Sequence, residues 1–152
     1  MEEDNHIFKR HNKTLLLYHI VFPVKYRKEA ITEAVENTLK EVCIGISKRY
    51  EINFVEIGAD RNHIHFLTQS VPNMSVNQIV RTIKSITAKM IFKAHPEVKK
   101  ILWGGNFWTS GYYANTVGEY GNKEVIRKYI EKQQSKEYKK IYDGQLALFE
   151  GL

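Results

Sequence analysis

Cysteine is almost missing from this chain. Cys43 is the only one, which rules out an internal disulfide framework and points to a reducing compartment. Long apolar runs are missing too, since none approaches the roughly 18 residues that a membrane helix requires, so a soluble protein is expected. The N-terminal stretch from Met1 to His6 is acidic and has neither the basic start nor the apolar core of a secretory signal, so a cytoplasmic location is expected. There is no internal repeat and no low-complexity tract. Acidic side chains are scarce in one region only. Residues 61–118 hold 7 basic side chains and a single acid, Glu97, whereas residues 1–60 hold 9 basic and 10 acidic, and residues 119–152 hold 7 and 6.

What is present fits one globular domain of 152 residues, with 43% hydrophobic and 26% charged residues and a formal net charge of +6. The domain is expected to span residues 1–152, with a core over about 14–134 and a tail over about 139–152. The excess positive charge falls in the middle of the chain, where it would attract a phosphate backbone. A solvated helix face carrying Lys84, Lys89 and Lys93 would give the same composition.

Residues 14–24 are dense in β-branched and aromatic side chains and predict a first strand buried on both faces, ended or placed at an edge by Pro23. Ile31, Val35, Leu39, Val42 and Ile46 recur at steps of three and four, the period of an amphipathic helix over about 31–50, capped by Thr32 or a neighbour. Residues 52–58 and 63–69 predict a hairpin around the polar turn Ala59-Asp60-Arg61-Asn62. After Pro72, Asn73 and Ser75, a second helix carries a buried stripe of Val76, Ile79, Val80, Ile83, Ile86 or Thr87, and Met90, and stops at His95-Pro96. Trp103 to Trp108 is loop-like and Tyr112 to Val117 a last strand. Beyond the glycines at 118 and 121, Asn122 would cap a helix running to about Tyr138. The order strand, helix, strand, strand, helix, strand is the split βαβ arrangement: an α+β, ferredoxin-like or RRM-like antiparallel sheet with helices on one face, plus an additional C-terminal helix.

Two groups of side chains carry potential chemistry. His63 and His65 stand at i and i+2 of a predicted strand, so both imidazoles project from one face, roughly 6–7 Å apart along the backbone, and can share a metal ion. Tyr129 and Gln133 stand at i and i+4 of the last predicted helix and present a phenol and an amide together. Each alone is ordinary. Two core or surface histidines, or a tyrosine packed on an apolar stripe, would look the same.

The chain resembles the single-tyrosine transposases of the insertion-sequence 200/605 group, a branch of the His-hydrophobe-His nucleases. The resemblance spans about residues 14–134. It rests on Tyr18-His19-Ile20-Val21-Phe22 followed by Lys25-Tyr26-Arg27, on Asp60-Arg61-Asn62-His63-Ile64-His65, on Leu102-Trp103, on Asn115-Thr116-Val117-Gly118, and on Tyr129-Ile130-Glu131-Lys132-Gln133-Gln134. Phe22-Pro23 departs from the tryptophan-containing segment more usual after the first strand, and the C-terminal tail runs on past the tyrosine helix. The resemblance implies that His63, His65 and Gln133 hold a divalent ion, Mg2+ or Mn2+, and that Tyr129 attacks DNA to leave a covalent 5′-phosphotyrosine and a free 3′-hydroxyl. It also implies a homodimer whose tyrosine helix completes the site of its own or the partner subunit, and single-stranded DNA with hairpins near the element's ends as substrate. Tyr26, Arg27, Arg81, Lys84 and Lys89 are candidate DNA contacts, since aromatic faces and basic side chains together suit unpaired nucleic acid. Trp103, Phe107, Trp108, Tyr112 and Tyr113 could serve the same end or simply pack the core. Two other readings stand beside this one: a non-catalytic single-strand-binding module on the same kind of sheet, and a domesticated relative that keeps the chemistry but acts on repeated palindromes.

Overall fold

The computed structural model describes residues 5–118, apart from the Trp103 side chain. The helix expected from Asn122, with Tyr129 and Gln133 on it, and the tail from Lys139 lie outside the described residues.

A short hairpin of β1 (Ile7–Phe8) and β2 (Lys13–Thr14) opens the chain. It leads into β3 (Leu16–Pro23), α1 (Glu33–Arg49), β4 (Asn53–Asp60), β5 (His63–Ser70), α2 (Val76–Ala94), the single turn α3 (Val98–Ile101) and β6 (Tyr113–Val117). The four long strands form one sheet in the order β4-β5-β3-β6, with every pair antiparallel. This is the expected α+β arrangement, with the first and third strands of the split βαβ unit at the centre.

Strand alternation sends Ile20 and Phe22 of β3 and Ile64 and Phe66 of β5 to one face, where they meet Val35, Leu39, Cys43 and Ile46 of α1 and Ile79, Val80, Ile83 and Ile91 of α2. Phe66 sits edge-on to both Phe22 and Phe54, with ring centroids 5.3 Å away in each case. Each of these large apolar side chains contributes roughly 1.5–3 kcal/mol by leaving water. Both helices begin on side-chain caps. The Thr32 hydroxyl accepts from Val35 N at 3.3 Å. Ser75 and Gln78 form a reciprocal capping box, with Gln78 N donating to Ser75 Oγ at 3.1 Å and Ser75 N to Gln78 Oε1 at 2.8 Å.

Three details differ from expectation. Ile31 is buried but precedes the Thr32 cap, so it packs from the entry loop and not from α1. Met90 is 37% exposed; the stripe runs Ile83, Thr87, Ile91 in steps of four, which turns position 90 toward solvent. The hairpin turn is shorter, because β4 and β5 extend until Asp60 faces His63 and only Arg61 and Asn62 remain to reverse the chain.

Candidate functional site

The sheet face away from the helices carries the histidine pair. His63 and His65 both project from this face of β5. The register adds Val21 and His19 from β3, Gly58 from β4, and Tyr113 and Asn115 from β6. His63 is 7%, His65 2% and His19 0% exposed. Three imidazoles therefore gather on one buried patch, the third being His19 of the Tyr18-His19-Ile20-Val21-Phe22 segment.

Local structure fixes each ring. The hairpin tip is tied to the rest of the fold through its carbonyls: Asn62 O accepts from Val24 N at 2.8 Å and Arg61 O from Ile31 N at 2.9 Å. The Asn62 side chain then accepts from His63 Nδ1 at 2.9 Å. A proton held on Nδ1 puts the ring's lone pair on Nε2, the arrangement by which outer groups orient metal-binding histidines. His65 lies over Gly58 and meets His19 edge-on, with centroids 6.0 Å apart at 85°. Burial, reinforced by the neighbouring His19 and His63 rings, pushes the pKa of His65 down to about 3. Burial likewise lowers that of His19 to about 4, against a partial opposing effect of its hydrogen bond with Asn115. Both rings are thus neutral at ordinary pH, the state in which imidazole binds a metal.

Among the described residues, no three His, Cys, Asp or Glu side chains are grouped so as to hold a metal ion. His63 and His65 supply two donors whose chemistry suits a divalent ion: both imidazoles, on one face of β5, with His65 held neutral and His63 oriented from behind. Tyr129 and Gln133 lie outside the described residues.

The five candidate DNA contacts come together elsewhere. Tyr26, Arg27, Arg81, Lys84 and Lys89 all line one cleft of about 1140 Å³, floored by Phe92, Phe107 and Trp108. The cleft assembles from the turn after β3, the outer face of α2, and the loop before β6. In that turn Tyr26 and Arg27 both take positive φ, 59° and 55°, a conformation uncommon for residues other than glycine and costing of order 1 kcal/mol each. It is held by Lys25 N donating to Phe107 O at 2.9 Å and Arg27 N to Val24 O at 3.0 Å. The result is a Tyr26 ring 66% exposed at the rim, with the Lys25 ammonium 5.1 Å from its centroid.

Lys84 is not a solvated surface lysine. Its ammonium donates to Thr109 O and Gly111 O, both at 2.7 Å, and burial lowers its pKa to about 8. Arg81 and Lys89 are exposed. Of the aromatic residues in the loop, Phe107 and Trp108 are core: Trp108 Nε1 donates to the buried Thr87 hydroxyl at 2.9 Å, which in turn donates to Ile83 O at 2.6 Å. Tyr112 and Tyr113 are partly buried.

Residues 12–133 match the sequence profile of the family described as Transposase IS200 like. The chain is 33% identical over 122 residues to the ISDra2 transposase TnpA of Deinococcus radiodurans, covering 80% of this chain and 86% of that protein. It is 31% identical over 127 residues to the transposase for insertion sequence element IS200 of Salmonella typhimurium, covering 81% and 80%. A 1.90 Å crystal structure of a protein assigned as a transposase in Deinococcus radiodurans R1 superimposes with a TM-score of 0.68 at 28% identity, covering 84% of this chain and 97% of that one. The chain belongs to the IS200-like transposase family.

Proposed function

We propose that this transposase nicks and rejoins single-stranded DNA, with Tyr129 as nucleophile and with His63, His65 and Gln133 as ligands of one divalent ion, Mg2+ or Mn2+. The observation that carries the reading is the paired presentation of His63 and His65 on one buried sheet face, with His65 held neutral and His63 oriented by Asn62. A bound divalent ion would supply charge neutralisation at the scissile phosphate, and imidazole and amide donors suit Mn2+ more naturally than Mg2+.

The protein's own groups do the rest. The phenol of Tyr129 gives up its proton to solvent or a base as its oxygen attacks phosphorus. A Tyr–O–P bond forms, the P–O3′ bond breaks, and the departing 3′-oxygen takes up a proton. The products are a 5′-phosphotyrosine and a free 3′-hydroxyl. Because the linkage keeps the energy of the broken ester, a 3′-hydroxyl from the same or another strand can attack it in reverse, releasing Tyr129 without any nucleotide cofactor.

The basic, aromatic-rimmed cleft is proposed as the DNA-holding surface, with Arg27, Arg81 and Lys89 on phosphates, Tyr26 beneath a base, and Lys84 shaping the wall. Hairpins near an element's ends are the proposed substrate form. A homodimer, with the tyrosine helix serving its own or the partner subunit, is the proposed assembly. The test mixes labelled single-stranded DNA from an element end with the protein, with and without MnCl2 or MgCl2, on a denaturing gel. A protein-linked band that needs the metal, and that disappears in His63→Ala and His65→Ala, is expected. Equal adduct in the presence of a chelator would remove the metal-dependent reading. Binding of the hairpin with no adduct under any condition would instead favour a non-catalytic binding module.

A further inference from the structure

We propose, on the reading of His65 as a ligand given above, that Gly58 and His19 are positioning residues that clamp the His65 ring and so set how tightly, and with what preference between Mn2+ and Mg2+, the site holds its ion.

Gly58 pairs directly with His65 across β4 and β5. A β-carbon at position 58 would fall 2.1 Å from His65 Nε2 and 2.4 Å from Cε1. Carbon atoms make contact at about 3.5–4.0 Å, so every other residue type at 58 collides with the ring. The glycine is not required by its backbone, because it does not take the positive φ that would favour glycine. Glycine weakens a strand interior, and a close approach is one of the few reasons to place it there.

The ring cannot swing aside freely. On the β3 side stands His19, edge-on at 6.0 Å and itself braced by Tyr113 at 6.4 Å and 75°. His19 and His65 are 0% and 2% exposed. Gly58 thus makes a floor and His19 a wall. A β-carbon at position 58 would push the imidazole aside and loss of the His19 ring would let it tilt; either costs a metal that depends on nitrogen more than one that relies on oxygen ligands. Mn2+ binding should therefore suffer more than Mg2+ binding.

The experiment titrates the full-length chain with MnCl2, following free Mn2+ by electron paramagnetic resonance, with MgCl2 as competitor. Gly58→Ala and His19→Ala should each weaken Mn2+ binding by about 10-fold, the lower end of the range for outer groups that orient metal ligands, and should lower the Mn2+/Mg2+ ratio. His19→Phe, which keeps an aromatic edge against His65, should stay near the unmodified chain. Binding that is lost in His65→Ala but unchanged in Gly58→Ala and His19→Ala overturns the positioning roles alone. Binding unchanged in His65→Ala removes the ligand reading itself. If Gly58→Ala does not fold, the double variant with His65→Ala decides: recovery of folding once the imidazole is gone supports the clash, and continued failure overturns it.

Discussion

At the scale of single residues, neutrality is the property the fold imposes on His19 and His65. An unfolded histidine titrates near 6.5, while His65 and His19 in the fold titrate near 3 and 4. Below pH 6.5 the unfolded chain takes up protons that these two rings refuse. The stability they contribute is thus complete above that pH and is lost as pH falls, at up to about 1.4 kcal/mol per pH unit per ring. In chelator, the urea midpoint should drop between pH 7.5 and 5.5, and His19→Leu should make the drop shallower. An identical pH slope in His19→Leu would show that His19 is not held neutral by the fold. The pair His63 and His65 could be read from the sequence because strand alternation is a strict period of two. Gly58 and His19 could not be read the same way, since their contact with His65 depends on register. A turn placed over four residues, Ala59 to Asn62, would set Gly58 opposite His63 and not opposite His65. The two-residue turn actually formed at Arg61-Asn62 is the signal that would have found it.

At the scale of elements, periodicity made the two long helices and four long strands legible, and shortness hid the others. The two-residue strands at Ile7–Phe8 and Lys13–Thr14 and the four-residue helix at Val98–Ile101 are too brief to show any period. Thr87 was one of two options for the α2 stripe. The fold selects it because its hydroxyl bridges the Trp108 indole and the Ile83 carbonyl inside the core. Thr87→Val keeps the shape but leaves the indole N–H buried without an acceptor, which should cost about 1–3 kcal/mol in urea unfolding. In a Trp108→Phe background the same change should cost much less. Equal costs in both backgrounds would mean that the hydroxyl acts through something other than the indole. The Ser75 cap is the second element-scale case: Ser75→Ala should lower stability by about 1 kcal/mol, seen as a lower urea midpoint, with no change in DNA adduct yield at temperatures where both chains are folded. A drop in yield under those conditions would tie the α2 terminus to the chemistry.

At the scale of the whole molecule, the basic cleft and the histidine patch occupy two places. The histidine patch lies on the sheet face away from the helices, while the cleft lies between the turn after β3, α2 and the loop before β6. The cleft was visible in the sequence only as a composition, a stretch with one acid, because its walls come from segments some 80 residues apart. Val24 links the two regions: its N–H is bound to Asn62 beside His63, and the next residue begins the strained turn that presents Tyr26. If the cleft tracks the DNA backbone, affinity for single-stranded DNA should fall with salt, and removing Arg27 or Lys89 should reduce that log–log slope by about 0.7 per charge. A slope unchanged in Arg27→Ala and Lys89→Ala would place the backbone contacts elsewhere. The central claim, that Tyr129 becomes covalently joined to DNA, is tested most directly by digesting the protein after reaction with single-stranded DNA and Mn2+ and sequencing the modified peptide by mass spectrometry. The expected result is a 5′-phosphonucleotide on Tyr129 and none in Tyr129→Phe. A nucleotide carried on any other side chain, or an adduct that persists in Tyr129→Phe, would contradict it.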